Sequence, residues 1–486
     1  MTATDAHQGG AGGAAGAARP DTTEAAAPDG TPAARSSKEP RRVREIDALV
    51  AEIGSTTTVV SAFDGLTGYP ASEPRLLGQG VAATSVADGD VTLGVDAARA
   101  ALEEATGPLA PRLTLATSSA AGGLRMTVHG LTQRMTAMAA REAALGAGAV
   151  VTYQTAGLLR DHDLRAIEEL RPGLMLLAGG VEGGDYETVL HNAARICELT
   201  VRPIVVYGGN SVVAGDARTL LETAGFRVRV TSNVYPAVDE LDIVPARAVI
   251  HDAFEEHITH APGMERIGEV VNGRILPTPG AVLLAAERLA DDLGDLVVVD
   301  VGGATTDVHS ITDGSPEFSA IQIEPQAHSR RTVEGDLGTF VSASHVAAMM
   351  PDEDRPAELP PALPRDADEV EAARRLAAYC ARAAVRRHAG RLSHLYTPTG
   401  RQTVARGRDL TACRLVVGTG GALTRLPGGR EMLEATRSTG TGDRLLPPAA
   451  ARCTLDSHYV LADCGALLAH FDGAAVAALM GASLGL

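Results

Sequence analysis

Residues 296–307 read LVVVDVGGATTD, and a related stretch stands far upstream at 49–58, LVAEIGSTTT. Each runs from an apolar strand-like segment through one carboxylate into glycine and a cluster of hydroxyls. Glycine lets a backbone approach a ligand closely, and the N–H dipoles of such a turn favour negative charge. The groups on offer are Gly54, Ser55, Thr56 and Thr57 in the first copy and Gly302, Gly303, Thr305 and Thr306 in the second. A carboxylate just before each turn, Glu52 or Asp300, suits a hydrated magnesium ion, which takes oxygen ligands and keeps several waters. Two such hairpins facing each other would clamp a triphosphate from both sides. Neither is a P-loop and neither is a GxGxxG turn.

A third glycine turn follows at 415–423, LVVGTGGAL, where Gly418, Gly420 and Gly421 offer bare backbone to a nucleoside. Between the copies, from about 112 to 245, short apolar runs at 113–116, 174–177, 204–206 and 228–230 alternate with amphipathic stretches. That alternation predicts a parallel sheet with crossover helices. The spacing also predicts helices over 94–105, over AVLLAAERLADDL after the break at 277–280, and over the long stretch from 369. Residues 351–366 are Pro-rich and acidic and read as a surface loop. The chain end, from about Gly465, reads as a buried Ala/Leu helix. Residues 1–42 are mostly small and polar without apolar periodicity, so they read as a disordered tail rather than a signal or transit peptide.

Composition narrows the function classes. The 486 residues carry a formal net charge of -17, which argues against nucleic acid or an anionic membrane as the main partner. No apolar run reaches the ~18 residues of a membrane span, and a cytoplasmic location is the expectation. Five cysteines without a CxxC pair argue against a disulfide framework, a zinc ribbon and an iron–sulfur cluster.

The order of motifs resembles the actin, heat-shock chaperone and sugar-kinase superfamily. Within it, AEIGSTTT, TSSAAGGLRMTVHGL, LLAGGVEGGD, VYGGN, SNVYP, LPTPGAVL, VDVGGATTDVHS, RTVEGDLG and GTGGAL resemble the glutamate (methylaspartate) mutase accessory protein, component L. The resemblance covers about 46–465. It implies an α/β, two-lobed actin-like (ribonuclease H-like) ATPase fold, with a first lobe over 43–275, an inserted α/β unit at about 112–245, and a second lobe over 276–486. It implies ATP and Mg2+, with Asp300 and Glu52 as catalytic carboxylates and Glu52, Asp300 and Asp307 facing the metal through water. The implied partners are the subunits of an adenosylcobalamin-dependent mutase, reactivated by exchange of damaged cobalamin, with no cobalamin bound directly. A small-molecule kinase of the same superfamily, a hydantoinase-like ATP-coupled amidohydrolase and a scaffold that binds ATP without turnover are the alternatives.

The sequence departs from the superfamily pattern at two places. Glu52 stands where aspartate is usual. Leu276 stands where the chaperones have a glutamate that positions the attacking water, which implies a slow ATPase. Three further features have two readings each. His251, Glu255, His257 and His260 are a metal site or a solvated helix end, and 176–185 is an anion site or a plain turn. DSHYVL, with His458, is the start of a cobalt-ligating motif or ordinary chain. Arg330 and Arg331 are read with Glu334 and Asp336 as a salt-bridged lobe contact.

Overall fold

The computed structural model describes residues 43–120, 123–398, 400–440 and 442–486, so the tail expected at 1–42 lies outside the described residues. The first hairpin pairs Arg44–Ile53 with Thr57–Asp64, and Arg75–Ala83 extends it on one side. On the other side Leu109–Ser118 and then Ile275–Pro277 join in parallel. The second hairpin repeats the plan: Leu296–Val301 pairs with Thr306–Ile311, then Ser329–Glu334, while Leu415–Thr419 and Arg452–Leu455 join in parallel. Numbered within each sheet, both have the strand order 3-2-1-4-5. That duplicated sheet is the α/β, actin-like (ribonuclease H-like) architecture.

Central strands explain why the two quoted stretches are so apolar. Eight consecutive residues, 46–53, are buried, because a central strand covered on both faces reads as a continuous apolar run. The face of the first sheet bearing Val50, Leu115 and Leu276 packs on helix Thr278–Leu293, which in turn packs on helices Leu461–Leu467 and Gly473–Leu484 and on Val298 of the second sheet. The tail of the chain is therefore part of the layer between the sheets. It forms two helices where the sequence predicted one.

A third sheet is wholly parallel, with strands Val150–Ala156, Arg125–Gly130, Leu174–Leu177, Ile204–Tyr207 and Val228–Val230 in that spatial order. Its order within itself is 2-1-3-4-5, the doubly wound arrangement. The run 113–116 does not belong here as its spacing suggested. It is part of Leu109–Ser118, paired with the first hairpin strand from Arg44 to Ile53. The helix expected over 94–105 spans Val91–Thr106, capped by Asp90, which accepts from Thr92 N–H. The long stretch from 369 forms helix Ala367–His388, with Asp366 as its cap and arginines in its last turn. Among the described residues no helix is long and apolar enough to cross a membrane.

Candidate nucleotide site

The two turns close with the same hydrogen bond. Gly54 N–H donates to Thr57 O, and Gly302 N–H donates to Thr305 O, each at 2.9 Å. Glu52 and Asp300 therefore occupy the same place, two residues ahead of the glycine. The hairpins differ one strand over: Asp300 lies opposite Asp307, whereas Glu52 lies opposite Val59. The second hairpin carries a carboxylate that the first lacks.

Both turns line one cavity of about 290 Å³. From the first come Glu52, Gly54, Ser55, Thr56 and Thr57. The second supplies Asp300, Gly302, Gly303, Thr305 and Asp307, and Gly421 completes the predicted set. Three predicted residues stand elsewhere. Thr306 is buried under its hairpin and donates to Leu337 O at 2.8 Å, because strand alternation turns it away from the cavity. Gly418 is packed among Leu423, Leu433 and Leu455. Gly420 sits behind the wall at φ +84°, where a Cβ would stand 2.3 Å from Asp300 Oδ1. Its role is to let the third turn press against that carboxylate.

The site is electrostatically tense. Burial pushes the Asp300 carboxyl up to about 8, with repulsion from Asp307, Glu52 and Asp456 adding and Arg331 opposing. Burial also pushes Glu52 up to about 7, against a hydrogen bond from Tyr459. Neither carboxylate forms an ion pair among the described residues, so both offer oxygen donors to the cavity they line. Asp307 is held differently, its Oδ1 taking Arg331 Nε at 2.7 Å and Nη2 at 2.6 Å. Only its Oδ2 remains toward the turn, 3.3 Å from Thr305 Oγ1. Among the described residues no group of three or more His, Cys, Asp or Glu is arranged to hold a metal directly.

Sequence reasoning missed several residues here. Tyr459 reaches from the far end of the chain to donate its hydroxyl to Glu52 Oε1 at 2.9 Å. It sits at φ +53°, an uncommon conformation for a tyrosine. The turn is fixed by Asp456, which is fully buried and accepts from Thr419 Oγ1, Ser483 Oγ and the N–H groups of Val460 and Leu461. Phe340, Val341 and Leu363 add an apolar wall, and Leu363 belongs to the loop read as merely surface. Nothing periodic marks these positions, which chain distance separates from the hairpins.

Leu276 pairs with Thr117 in the first sheet and is 2% exposed among apolar neighbours, so no acid replaces the missing glutamate at that point. Two residues on, Thr278 lines the cavity with a buried hydroxyl that has no hydrogen-bond partner in the protein.

The remaining candidates resolve on local contacts. His251 is buried, its imidazole held down to about 4 chiefly by that burial. In 176–185, Glu182 already accepts from Ser211 N–H and Asn233 Nδ2, so a carboxylate occupies donors an anion would need. His458 is exposed, and its N–H donates to Ser483 Oγ. Arg330 and Arg331 do not pair with Glu334 and Asp336, which both bind Arg387. Arg330 instead meets Glu142 at 3.2 Å, and Arg331 also donates to the carbonyls of Leu145 and Ala149.

Among known proteins, the model of the family described as MutL protein matches residues 48–484. Protein MutL of Clostridium tetanomorphum is 36% identical over 378 residues, covering 73% of this chain and 82% of that protein. Among solved structures, the ethanolamine utilization protein EutJ from Carboxydothermus hydrogenoformans aligns at a TM-score of 0.25 and 13% identity, covering 86% of this chain and 88% of its own. A nucleotide-free acetone carboxylase aligns at 0.28 and 16%, covering 61% of this chain and 49% of its own. Both scores are low, and neither likeness bears on the chemistry of the site.

Proposed function

The chain belongs to the MutL protein family, the accessory component L of glutamate mutase, and on that premise we propose that it is an ATP-dependent reactivating factor for an adenosylcobalamin-dependent mutase. The observation that carries the nucleotide part is the pair of matching turns around one cavity, each with a buried carboxylate behind it. Backbone N–H groups and hydroxyls of 54–57 and 302–305 would hold the phosphates. Glu52 and Asp300 fit a cation, because they are buried oxygen donors with no ion-pair partner among the described residues, and Asp307 contributes its Oδ2, shared with the Thr305 hydroxyl. Through bridging waters these three would hold Mg2+, whose chemistry there is to neutralise charge on the transferring phosphoryl oxygens.

The chain's own residues do the rest. The turns orient the triphosphate, and Phe340, Val341 and Leu363, which stay partly exposed, give the cavity an apolar side. With Leu276 apolar, hydrolysis is slow and the nucleotide acts as a switch. The subunits of the mutase are the proposed partner, and exchange of its damaged cobalamin is the proposed outcome.

The test mixes the protein and Mg-ATP with a mutase stalled by hydroxocobalamin. Recovery of turnover that requires ATP and disappears in Asp300→Ala supports the reading. Nucleotide binding without recovery of any cobalamin mutase overturns it. ATP consumption that depends on a small hydroxyl or carboxylate compound would assign the chain to the kinases instead.

A further inference from the structure

Residues 372–408 contain nine arginines and not one Asp or Glu, in a chain whose formal net charge is -17. Several are engaged: Arg374 and Arg375 by Glu371, Arg387 by Glu334 and Asp336, and the buried Arg408 by Ser310. Arg391 and Arg406 are not, and form no ion pair among the described residues. They belong to a separate two-stranded sheet in which Arg391–Thr397 runs antiparallel to Gly400–Arg406. Arg391 lies directly opposite Arg406, and on its other side it bridges antiparallel to Arg444. Directly opposed residues share a sheet face, so three arginines form one row at the strand pitch of about 4.8 Å.

Such a row opposes folding. Like charges directly opposite destabilise a strand pair, and a two-stranded sheet is marginal to begin with. Arg444 turns one nitrogen to Ala389 O at 3.0 Å, and its neighbour Asp443 is ion-paired to none of the three. A local rule broken without compensation is the mark of a functional surface. Further out, Tyr396 is 81% exposed opposite Arg401, and Tyr and Arg are the residue types that anchor protein interfaces.

We propose that this row docks an acidic helix of the protein partner, which on the functional reading proposed for the chain is the mutase. Carboxylates three or four residues apart on a helix have Cβ atoms about 5–6 Å apart, close to the pitch of the row. Guanidinium groups take carboxylates in paired, planar hydrogen bonds. The chain's overall negative charge repels a long polyanion while leaving a local carboxylate stripe free to approach, which favours protein over nucleic acid.

Surface plasmon resonance against the purified mutase tests this with the full chain, Arg391→Glu/Arg406→Glu, and the milder Arg391→Gln/Arg406→Gln. Circular dichroism checks folding, and a fluorescent ATP analogue checks the nucleotide site. The expected result is about tenfold or greater weakening of mutase binding in the glutamate pair and a smaller loss in the glutamine pair. Steep salt dependence should appear in wild type only, and affinity for the ATP analogue should be unchanged. Equal mutase binding by wild type and both folded variants overturns the docking site and leaves the functional reading standing. No mutase binding by wild type overturns the partner reading and the docking site with it. Retention of an RNA oligomer that both variants lose, or a wild-type dimer that both lose by light scattering, also overturns the proposal, by assigning the row to nucleic acid or to a second copy.

Discussion

Glu52 and Asp300 contribute to how the protein responds to pH above neutrality. Both carboxyls are higher in the folded chain, at about 7 and about 8, than the 4.5 and 3.8 of the free groups. The folded state therefore binds more protons than the unfolded state across that window. The stabilising neutral form is complete below about pH 4 and is lost as pH rises toward 8. The buried His129, His251, His309 and His388 are held neutral in the fold and act in the opposite sense below about pH 6.5. Melting temperature in EDTA should therefore fall between about pH 6.5 and 8, where the combined effect of the two carboxyls is on the order of 1–3 kcal/mol. Asp300→Asn should flatten the slope, and millimolar Mg2+ should flatten it for wild type. A slope that is unchanged in Asp300→Asn would place the titrating groups elsewhere.

At the scale of the element, the third glycine turn is a test of close approach. In Gly420→Ala the new Cβ would meet Asp300 Oδ1 at 2.3 Å and the Val301 carbonyl at 2.6 Å, on a backbone at φ +84°. A carbonyl in a central strand cannot retreat, so about 1–3 kcal/mol of strain is expected, together with loss of nucleotide binding in calorimetry. The neighbouring Gly421→Ala adds a Cβ with nothing within 4 Å and should fold as wild type. Both hairpins are legible from alternation and glycine, since their pairing is local and the turn chemistry lies within ten residues. Membership of the parallel strands is not. Leu109–Ser118 looks like any buried strand, and only tertiary packing seats it beside the first hairpin rather than in the parallel sheet. Ile275–Pro277 is too short to carry a period, so its strand pairing leaves no trace in the pattern. Tyr459 is invisible because nothing near it in sequence predicts a partner at Glu52.

Across the whole molecule, one side chain spans the second hairpin and the parallel-sheet unit. Arg331 is 1% exposed and holds Asp307 with one edge and the carbonyls of Leu145 and Ala149 with another nitrogen. Arg331→Met would strand Asp307 as a buried charge, at a cost of about 3–5 kcal/mol by urea denaturation. Adding Asp307→Asn should return part of that loss, and a fully additive double mutant would show the two groups to be independent. The same guanidinium limits how the molecule can move. Any tilt of the second hairpin that carries Asp307 beyond hydrogen-bond reach must either drag the 145–149 corner along or snap a contact. Arg331 is thus a tie-rod of fixed length, and the hairpin and the corner can travel only together or by breaking it.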